Sequence, residues 1–196
     1  MSEIVVQKFG GTSVGTVDRI DSVAEIIKNA SKLNKIVVVV SAMGGETNRL
    51  VDLAKAFGDD PDKREFDALV STGETVSSAL LTMALHSKGV KAKSFSASQI
   101  SMRTTSSYSK AKILDVDAKK ILDVVENDTI PIITGFQGVT EGGDVTTLGR
   151  GGSDTTAVAI AAQISATRCD IFTDVDGIFT TDPGVVPNAK KLDSIT

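Results

Sequence analysis

The sequence predicts an α/β protein whose strands lie mostly parallel in a central sheet. Short β-branched runs alternate with longer amphipathic stretches along the 196 residues, the pattern of strands joined by helices. The run Lys35–Ser41 contains four consecutive valines, which is typical of a strand that both faces of a sheet bury. Glycine-rich turns follow several apolar runs, and the sequence has neither an internal repeat nor a clear linker. We therefore expect one domain over residues 1–196, with right-handed crossovers.

The first strand and the first helix are predicted from their apolar residues. Ile4–Phe9 is an apolar run that ends at a glycine pair, as a strand does before a turn. Val17–Leu33 has helical periodicity instead. We expect the apolar face of this helix to comprise Val23, Ile26, Ile27 and Ala30.

The middle of the chain predicts two helical stretches, one strand and two loops. Thr47–Phe57 and Glu65–Lys88 have helical patterns, and the acidic segment Asp59–Asp62 separates them as a loop. Lys91–Phe95 is predicted as a strand. Ser101–Ser109 is predicted as a surface loop, because its many hydroxyl groups compete with regular backbone pairing.

The last third of the chain predicts a further helix, two strands and a hairpin. Asp117–Asn127 is amphipathic and predicts a helix, and Ile130–Phe136 predicts a strand. Glu141–Asp144 is predicted to turn the chain between Val139 and Val145. The remaining predictions are a small-residue helix, a strand and a long irregular segment: Ser153–Ile164, Cys169–Thr173 and Asp174–Asn188.

Composition limits the classes of function. The net charge is −4 and tryptophan is absent, which argues against a basic or base-stacking surface for nucleic acid. The single cysteine cannot form an internal disulfide, so a reducing, cytoplasmic location is expected. The sequence starts without a signal-peptide pattern and no apolar run is of membrane-spanning length, so we expect no membrane association.

The segment Val5–Ser13 is the most informative part of the sequence. An apolar strand leads into Lys8, the glycine pair Gly10–Gly11 and two hydroxyl residues, and a helix is expected from Val17. Backbone N–H groups at such a glycine pair, together with a helix N-terminus, suit phosphate oxygens. The spacing is not that of a Walker A loop. The alternative is a tight strand-to-helix turn that carries a lysine by chance.

Four more segments with polar and glycine residues follow predicted strands or interrupt predicted helices, and ligands bind at strand ends in open α/β sheets. They are Ser41–Asn48, Ser71–Glu74, Thr146–Thr156 and Thr173–Pro183. Helix capping, the helix dipole and ordinary turn chemistry are the structural alternatives for their acids and hydroxyls.

Three charged residues within these segments suggest an amino-diacid ligand. Glu74 can pair with an ammonium group, and Arg150 can bind a carboxylate through two hydrogen bonds. Arg150 also stands between glycines, where an arginine has little to pack against. Asp154 lies in a first helical turn, where capping is an alternative explanation for an acid.

The kinds of reactive side chain in the sequence favour phosphoryl transfer as the reaction. The only histidine, His86, lies in a helical stretch and is expected to be a surface or packing residue, and Cys169 is expected in the core. No Cys/His cluster has the spacing of metal ligands. Anion-binding loops without a strong general base suit a reaction in which placement and charge stabilisation do most of the work.

These motifs together resemble those of the aspartokinases, in the amino-acid kinase family. The matching segments span essentially the whole chain in order: Lys8–Ser13, Ser71–Glu74, Gly135–Gly138, Thr147–Thr156 and Thr173–Pro183. The resemblance implies a three-layer αβα sandwich with ATP over one end of the sheet. It also implies transfer of the γ-phosphoryl group of MgATP to the side-chain carboxylate of L-aspartate. In the aspartokinases this reaction begins the synthesis of lysine, threonine, methionine and diaminopimelate.

The resemblance also implies roles for individual residues. Lys8 would be catalytic by neutralising the transferred group, and Asp154 by organising that lysine. Aspartate would be bound by Thr47, Glu74, Arg150, Gly151, Gly152 and Ser153. The nucleotide would be bound by Lys8, Phe9, Gly10, Gly11, Ser13, Ser41, Thr173, Asp174, Phe179, Thr180, Thr181, Asp182 and Pro183, with Gly10 and Gly11 donating backbone N–H groups. Mg²⁺ is expected with ATP, without an assigned protein ligand.

Two features depart from the family pattern. Gly184 stands where these enzymes usually have an arginine, and the sequence ends at Thr196, before the rest of the kinase domain and the ACT regulatory domains. We therefore expect a domain that is incomplete at its C-terminus, from an enzyme that is a homo-oligomer or an αβ-type assembly. The alternatives are a nucleotide-binding or assembly module without turnover, and a kinase for glutamate or N-acetylglutamate.

Overall fold

The computed structural model describes residues 3–174, 177, 180, 181, 185, 186 and 188–191. Within them the strands are β1 (Ile4–Phe9), β2 (Lys35–Val40), β3 (Ala92–Phe95), β4 (Arg103–Thr104), β5 (Ile113–Asp115), β6 (Ile130–Thr134), β7 (Gln137–Val139), β8 (Val145–Thr147) and β9 (Arg168–Phe172). The helices are α1 (Val17–Ala30), α2 (Glu46–Lys55), α3 (Lys63–Val70), α4 (Thr72–Ser87), α5 (Ala118–Glu126) and α6 (Gly152–Gln163). Most predicted elements are confirmed, with ends that differ by up to three residues.

A five-stranded parallel sheet forms the centre of the fold. Its strand order is β3-β6-β2-β1-β9, and every neighbouring pair is parallel. Phe9 at the end of β1 lies in register with Val40 of β2 and Phe172 of β9. The carboxyl ends of these three strands therefore meet at one edge of the sheet, where the glycine-rich turns begin.

Two apolar cores, one on each face of the sheet, make the fold a three-layer αβα sandwich. Side chains alternate along a strand, so Val38 and Val40 pack with α1 and α4 while Val37 and Val39 pack with α5 and α6. The predicted burial of both faces of this strand is confirmed. Phe9 belongs to the α1 and α4 side.

The apolar face of α1 differs from the prediction at one residue. Thr16 caps the helix by accepting a hydrogen bond from the Arg19 N–H at 3.3 Å. Four residues that share one face are buried: Ile20, Val23, Ala24 and Ile27. Ile26 is 42% exposed, because one residue corresponds to 100° of rotation and turns its side chain away from the sheet. Its predicted place on the buried face was wrong.

The stretch predicted as one helix, Glu65–Lys88, is two helices that meet at Ser71. Ser71 ends α3 and begins α4, and its carbonyl accepts a hydrogen bond from the Gln137 amide at 2.5 Å. The first turn of α4 lies at the sheet edge, where Glu74 accepts a hydrogen bond from the Ala42 N–H at 3.0 Å. By length and composition alone Lys63–Ser87 could cross a membrane, but half of its most apolar window is buried, as expected for core helices.

A second, four-stranded sheet was only partly predicted. Its order is β5-β4-β7-β8, and the predicted hairpin between Val139 and Val145 is confirmed as the antiparallel pair β7–β8. The prediction of a loop throughout Ser101–Ser109 was wrong at β4, and β5 was not predicted. Strands of two or three residues have too little periodicity to be recognised, and β4 forms because β7 and β5 pair with it.

Candidate active site

A cavity of about 690 Å³ lies at the carboxyl edge of the central sheet, between the turns that follow β1, β2 and β8. Most of the predicted site residues line it: Lys8, Gly10, Gly11, Ser41, Thr47, Glu74, Arg150, Gly151, Gly152, Ser153, Asp154, Thr173 and Asp174. Residues far apart in the sequence thus share one site. A second cavity, of about 500 Å³, lies near Lys32, Lys35 and Lys91, around the amino ends of the strands, and includes none of the predicted site residues.

The turn after β1 is held tightly against the turn after β2. A methyl group on Gly11 would lie 2.9 Å from the Ala42 carbonyl oxygen, so no larger residue fits there without movement. Arg19 supports the turn from outside by donating to the Thr12 carbonyl at 2.5 Å. The two turns therefore form one rigid wall of the cavity.

Two parts of the predicted phosphate-binding turn need correction. The N–H of Gly10 was expected to be available to phosphate, but it donates to the Phe172 carbonyl at 3.1 Å and so extends the β1–β9 ladder. The beginning of α1 was expected at the site, but Thr16 and Val17 do not line the cavity. The first residues of α2 and α6 line it instead, and their N-terminal dipoles favour anions.

Lys8 and Asp154 form an ion pair on the wall of the cavity. Alternation along β1 places Lys8 on the face of the sheet covered by α6, whose first turn carries Asp154. Lys8 Nζ lies 2.8 Å from Asp154 Oδ1. The contact is a charge pair without hydrogen-bond alignment, since this oxygen accepts no hydrogen bond from the described residues. Lys8 is almost completely buried, so its ammonium group is held in one place.

Glu74 combines a buried carboxylate with a free acceptor position. It lies in the first turn of α4 and is 3% exposed. Its Oε1 accepts a hydrogen bond from the Ala42 N–H at 3.0 Å, whereas Oε2 is buried and has no partner among the described residues. Burial raises the pKa of this carboxyl to about 7, against the lowering effect of the Ala42 N–H. An unpartnered buried oxygen at a cavity wall is suited to a positively charged ligand group.

Arg150 is exposed at the mouth of the cavity and is followed by a glycine turn. Gly151 caps α6 with φ +73°, a left-handed conformation that favours glycine. Gly152 and Ser153 then begin α6 and line the same wall. Arg150 forms no ion pair with a described residue, and its guanidinium is therefore available to an anion.

Several predicted nucleotide residues do not line the cavity. Phe9 is buried and stacks on Phe172 with ring centroids 4.5 Å apart, so its side chain belongs to the core. Ser13, Thr180 and Thr181 also lie outside the lining. The other predicted residues of this segment lie outside the described residues: Phe179, Asp182, Pro183 and the unusual Gly184.

The cavity is also lined by residues whose place in the site was not predicted from sequence motifs. Phe66 reaches it from α3, and Ser109 from the loop between β4 and β5; no local pattern marks either residue. Phe136 lines the cavity with φ +67°. The only sequence signal for Phe136 was its position within the segment Gly135–Gly138.

The two remaining reactive side chains lie away from the cavity, His86 exposed on α4 and Cys169 against the core. His86 Nε2 lies 2.7 Å from the Ala92 carbonyl oxygen, where α4 meets β3. Cys169 packs against the core on the α6 side, and burial raises the pKa of its thiol. Neither residue lines the cavity, as the sequence predicted.

The chain resembles curated aspartate kinases over nearly its whole length. It is 55% identical over 194 residues to an aspartate kinase of Pseudomonas putida, a match that covers 98% of this chain and 47% of the relative. An aspartokinase of Geobacillus stearothermophilus is 54% identical, with 98% and 48% covered. The chain thus spans about half the length of the curated relatives it matches.

Solved structures and a family model agree with the fold. Escherichia coli aspartokinase III in complex with aspartate and ADP superposes with a TM-score of 0.86 at 33% identity, over 97% of this chain and 54% of that one. An isopentenyl phosphate kinase at 18% identity has a TM-score of 0.77 and shows the shared fold alone. The amino acid kinase family model matches residues 3–196. The chain therefore belongs to the amino acid kinase family.

Proposed function

We propose that this chain carries the active site of an ATP-dependent aspartate kinase. The reaction joins a side-chain carboxylate oxygen of L-aspartate to the γ-phosphorus of ATP and breaks the bond from that phosphorus to ADP, giving 4-phospho-L-aspartate. The main support is one cavity that combines the Lys8–Asp154 ion pair with Glu74 Oε2 and the Arg150 guanidinium, neither of which has a partner among the described residues. The identity to aspartate kinases supports the same substrate.

On the acceptor side, the two charged ends of aspartate have complementary partners. The ammonium group would bind the free Glu74 oxygen, and a substrate carboxylate would bind Arg150 in a charge-assisted, two-point contact. Thr47 and the α6 turn Gly151–Ser153 would complete the pocket around the substrate. This arrangement fixes the reacting carboxylate relative to the phosphoryl group, which is the larger part of catalysis in such a transfer.

On the donor side, Lys8 would neutralise charge on the phosphoryl group as it moves, and Asp154 would hold the lysine in place. A carboxylate nucleophile is already ionised at neutral pH, so the reaction needs no general base. The phosphates would lie against Gly11 and Ser41, and the rest of the nucleotide toward Thr173 and Asp174. The E. coli aspartokinase III complex contains ADP, which supports ATP as the donor.

Mg²⁺ would reach this site with the nucleotide. Among the described residues no cluster of three or more His, Cys, Asp or Glu side chains could hold a metal ion, and Mg²⁺ commonly binds through phosphates and few protein ligands. Bound there, it would reduce the negative charge of the phosphates. We further propose a cytoplasmic enzyme at the head of lysine, threonine and methionine synthesis, within a homo-oligomer or an αβ-type assembly.

The test is ADP release by the purified chain with MgATP and each of three acceptors: L-aspartate, L-glutamate and N-acetyl-L-glutamate. We expect turnover with L-aspartate, and hydroxylamine should trap the acyl phosphate as aspartyl hydroxamate. Turnover with either other acceptor but not with aspartate would contradict the proposed substrate. If isothermal titration detects ATP binding while no acceptor is phosphorylated, the chain is a binding module instead.

A further inference from the structure

Asp67 is a completely buried carboxylate that the proposed mechanism does not use. It lies on α3, next to Phe66, and is 0% exposed. Both carboxylate oxygens are fully occupied by hydrogen bonds. Oδ2 accepts from the backbone N–H groups of Ser109 and Thr147, each at 2.8 Å. Oδ1 accepts from the hydroxyl groups of the same two residues, at 3.0 and 2.9 Å.

These four hydrogen bonds join two segments that line the cavity. Ser109 belongs to the loop between β4 and β5, and Thr147 is the last residue of β8. Ser109 has φ +64°, a left-handed conformation that a non-glycine residue adopts only when its surroundings hold it there. Thr147 lies three residues before Arg150. The wall formed by Ser109 and Thr147 therefore depends on one buried acid.

The carboxylate also fixes the polarity of this wall. Each hydroxyl group has a single hydrogen, and both hydrogens are directed to Asp67. Only oxygen lone pairs remain for the cavity. Such a wall repels carboxylate oxygens, so the carboxylates of an amino diacid are directed toward Arg150 and Lys8.

We propose that Asp67 is a positioning residue for the acceptor side of the cavity. It holds the Ser109–Thr147 wall and the start of the segment that carries Arg150, and thereby sets the affinity for the amino-diacid substrate. The naming of that substrate rests on the proposed function; the dependence of the wall on Asp67 does not.

The experiment compares D67N and D67A with D62A in the full 196-residue chain. In D67N the amide oxygen can accept both backbone N–H bonds, and the amide hydrogens can donate to the two hydroxyl groups, which then turn their own hydrogens outward. D67A leaves four donors without an acceptor. Asp62 caps the same helix by accepting from the Glu65 N–H at 3.0 Å and does not line the cavity. D62A thus weakens α3 without changing the wall.

We expect D67N to keep its thermal stability and its KM for ATP, while the KM for L-aspartate rises about tenfold and kcat changes less than about threefold. In D67A, amide exchange at Ser109 and Thr147 should be faster than in D62A at matched overall stability. Tyr108 is the only tyrosine and the chain has no tryptophan, so its fluorescence reports on the neighbouring loop. Acrylamide should quench it more strongly in D67A than in D62A.

Equal KM shifts in D67N and D62A, or equal exchange and quenching in D67A and D62A, would overturn the inference. Absence of aspartate phosphorylation in the parent chain would contradict the proposed function alone. The exchange and quenching measurements would then still decide whether Asp67 holds the wall.

Discussion

Burial gives Lys8 and Glu74 properties that the same side chains lack at a surface. Lys8 Nζ is held 2.8 Å from Asp154 Oδ1, so the lysine is positioned before a substrate arrives. Glu74 has one oxygen bonded and one without a partner in the described part of the chain, and burial raises its pKa to about 7. Arg150, in contrast, is exposed and can adapt to its ligand. These differences lead to separate predictions for kcat, pH dependence and KM.

Replacing Lys8 should mainly reduce kcat. Lys8→Met keeps a similar apolar chain in the buried position but removes the charge that would stabilise the transferred group. We expect kcat to fall about 10²- to 10³-fold, measured by coupled ADP release. Lys119→Ala, which removes an exposed lysine on α5, is the control and should retain activity. A kcat within threefold of the parent for Lys8→Met would exclude a catalytic role for this lysine.

The pKa of Glu74 predicts a pH dependence of aspartate binding. Only the ionised carboxylate attracts the ammonium group, and its ionised fraction rises about tenfold between pH 6 and pH 8 for a pKa of about 7. The KM for L-aspartate should therefore fall about tenfold over this range. Glu74→Gln should bind aspartate more weakly and without this slope. A parent KM that is flat between pH 6 and pH 8 would contradict the assignment.

The same pKa predicts how stability changes with pH. Because burial raises the pKa of Glu74 from its ordinary 4.5 to about 7, the folded state holds this proton more tightly than the unfolded state does. The free energy of unfolding should thus decrease as pH rises from about 4.5 through 7, by on the order of 3 kcal/mol. Urea denaturation without substrate should show this decrease relative to Glu74→Gln; parallel curves would refute it.

Arg150→Ala should chiefly weaken aspartate binding. Loss of a charge-assisted contact of about 1.5–3 kcal/mol corresponds to a KM for L-aspartate that is about 10- to 150-fold higher, with a smaller change in kcat. Arg168→Ala is the matched control, since Arg168 is an exposed arginine that pairs with Asp170 away from the cavity. If both variants keep the parent KM, Arg150 does not bind the substrate.

The cavity lies where the ends of strands meet the first residues of helices. The turns after β1 and β2 touch through Gly11 and Ala42, and Glu74 of α4 accepts a hydrogen bond from the Ala42 N–H. The first residues of α2 and α6 direct their N-terminal dipoles at the same cavity. The spacing of these elements, more than any single side chain, sets the shape of this part of the cavity.

Gly11→Ala should disturb this contact between the turns. The added methyl group would meet the Ala42 carbonyl oxygen at 2.9 Å, so the two turns must separate, at a cost of about 1–3 kcal/mol. We expect lower thermal stability and a raised KM for ATP. Gly142→Ala is the control, since its nearest neighbour would be at an ordinary 3.7 Å. Equal stability of the two variants would show that the turns are not in close contact.

One central sheet connects the two apolar cores. Ile132 and Ile133 are adjacent on β6, but Ile132 packs with α1 and α4 while Ile133 packs with the α5 and α6 side. The same alternation along β2 binds both helix layers to one set of strands. The layers should therefore unfold together.

Alanine substitutions on the two faces of β6 test this cooperativity. Ile132→Ala and Ile133→Ala each remove a fully buried side chain, and each should lower the free energy of unfolding by about 2–5 kcal/mol. Both should retain a single transition in urea that is the same by far-UV circular dichroism and Tyr108 fluorescence. Two separate transitions in either variant would indicate layers that fold independently.

Local sequence patterns predicted the central sheet and grouped residues that the fold brings to one cavity. Period-two and period-3.6 apolar patterns report which faces are buried, so β1, β2, β6 and the helices were predictable. The local chemistry of Glu74 and Arg150 suggested an amino diacid. Glycine-rich turns at strand ends marked the edge where these residues meet, because parallel strands all end there.

Features that depend on distant partners could not be predicted from local patterns. The strands of the small sheet are too short to carry a period, and the Ser71 carbonyl between α3 and α4 accepts a hydrogen bond from Gln137, 66 positions later. The Gly10 N–H is taken by Phe172, a residue 162 positions later in the chain. In the sequence, nothing distinguishes Asp67 from other acidic residues of helices. Its hydrogen bonds to Ser109 and Thr147 exist only because the fold brings these residues together. The burial of a side chain and its hydrogen-bond partners depend on residues that are distant in the sequence. Local patterns therefore cannot predict them.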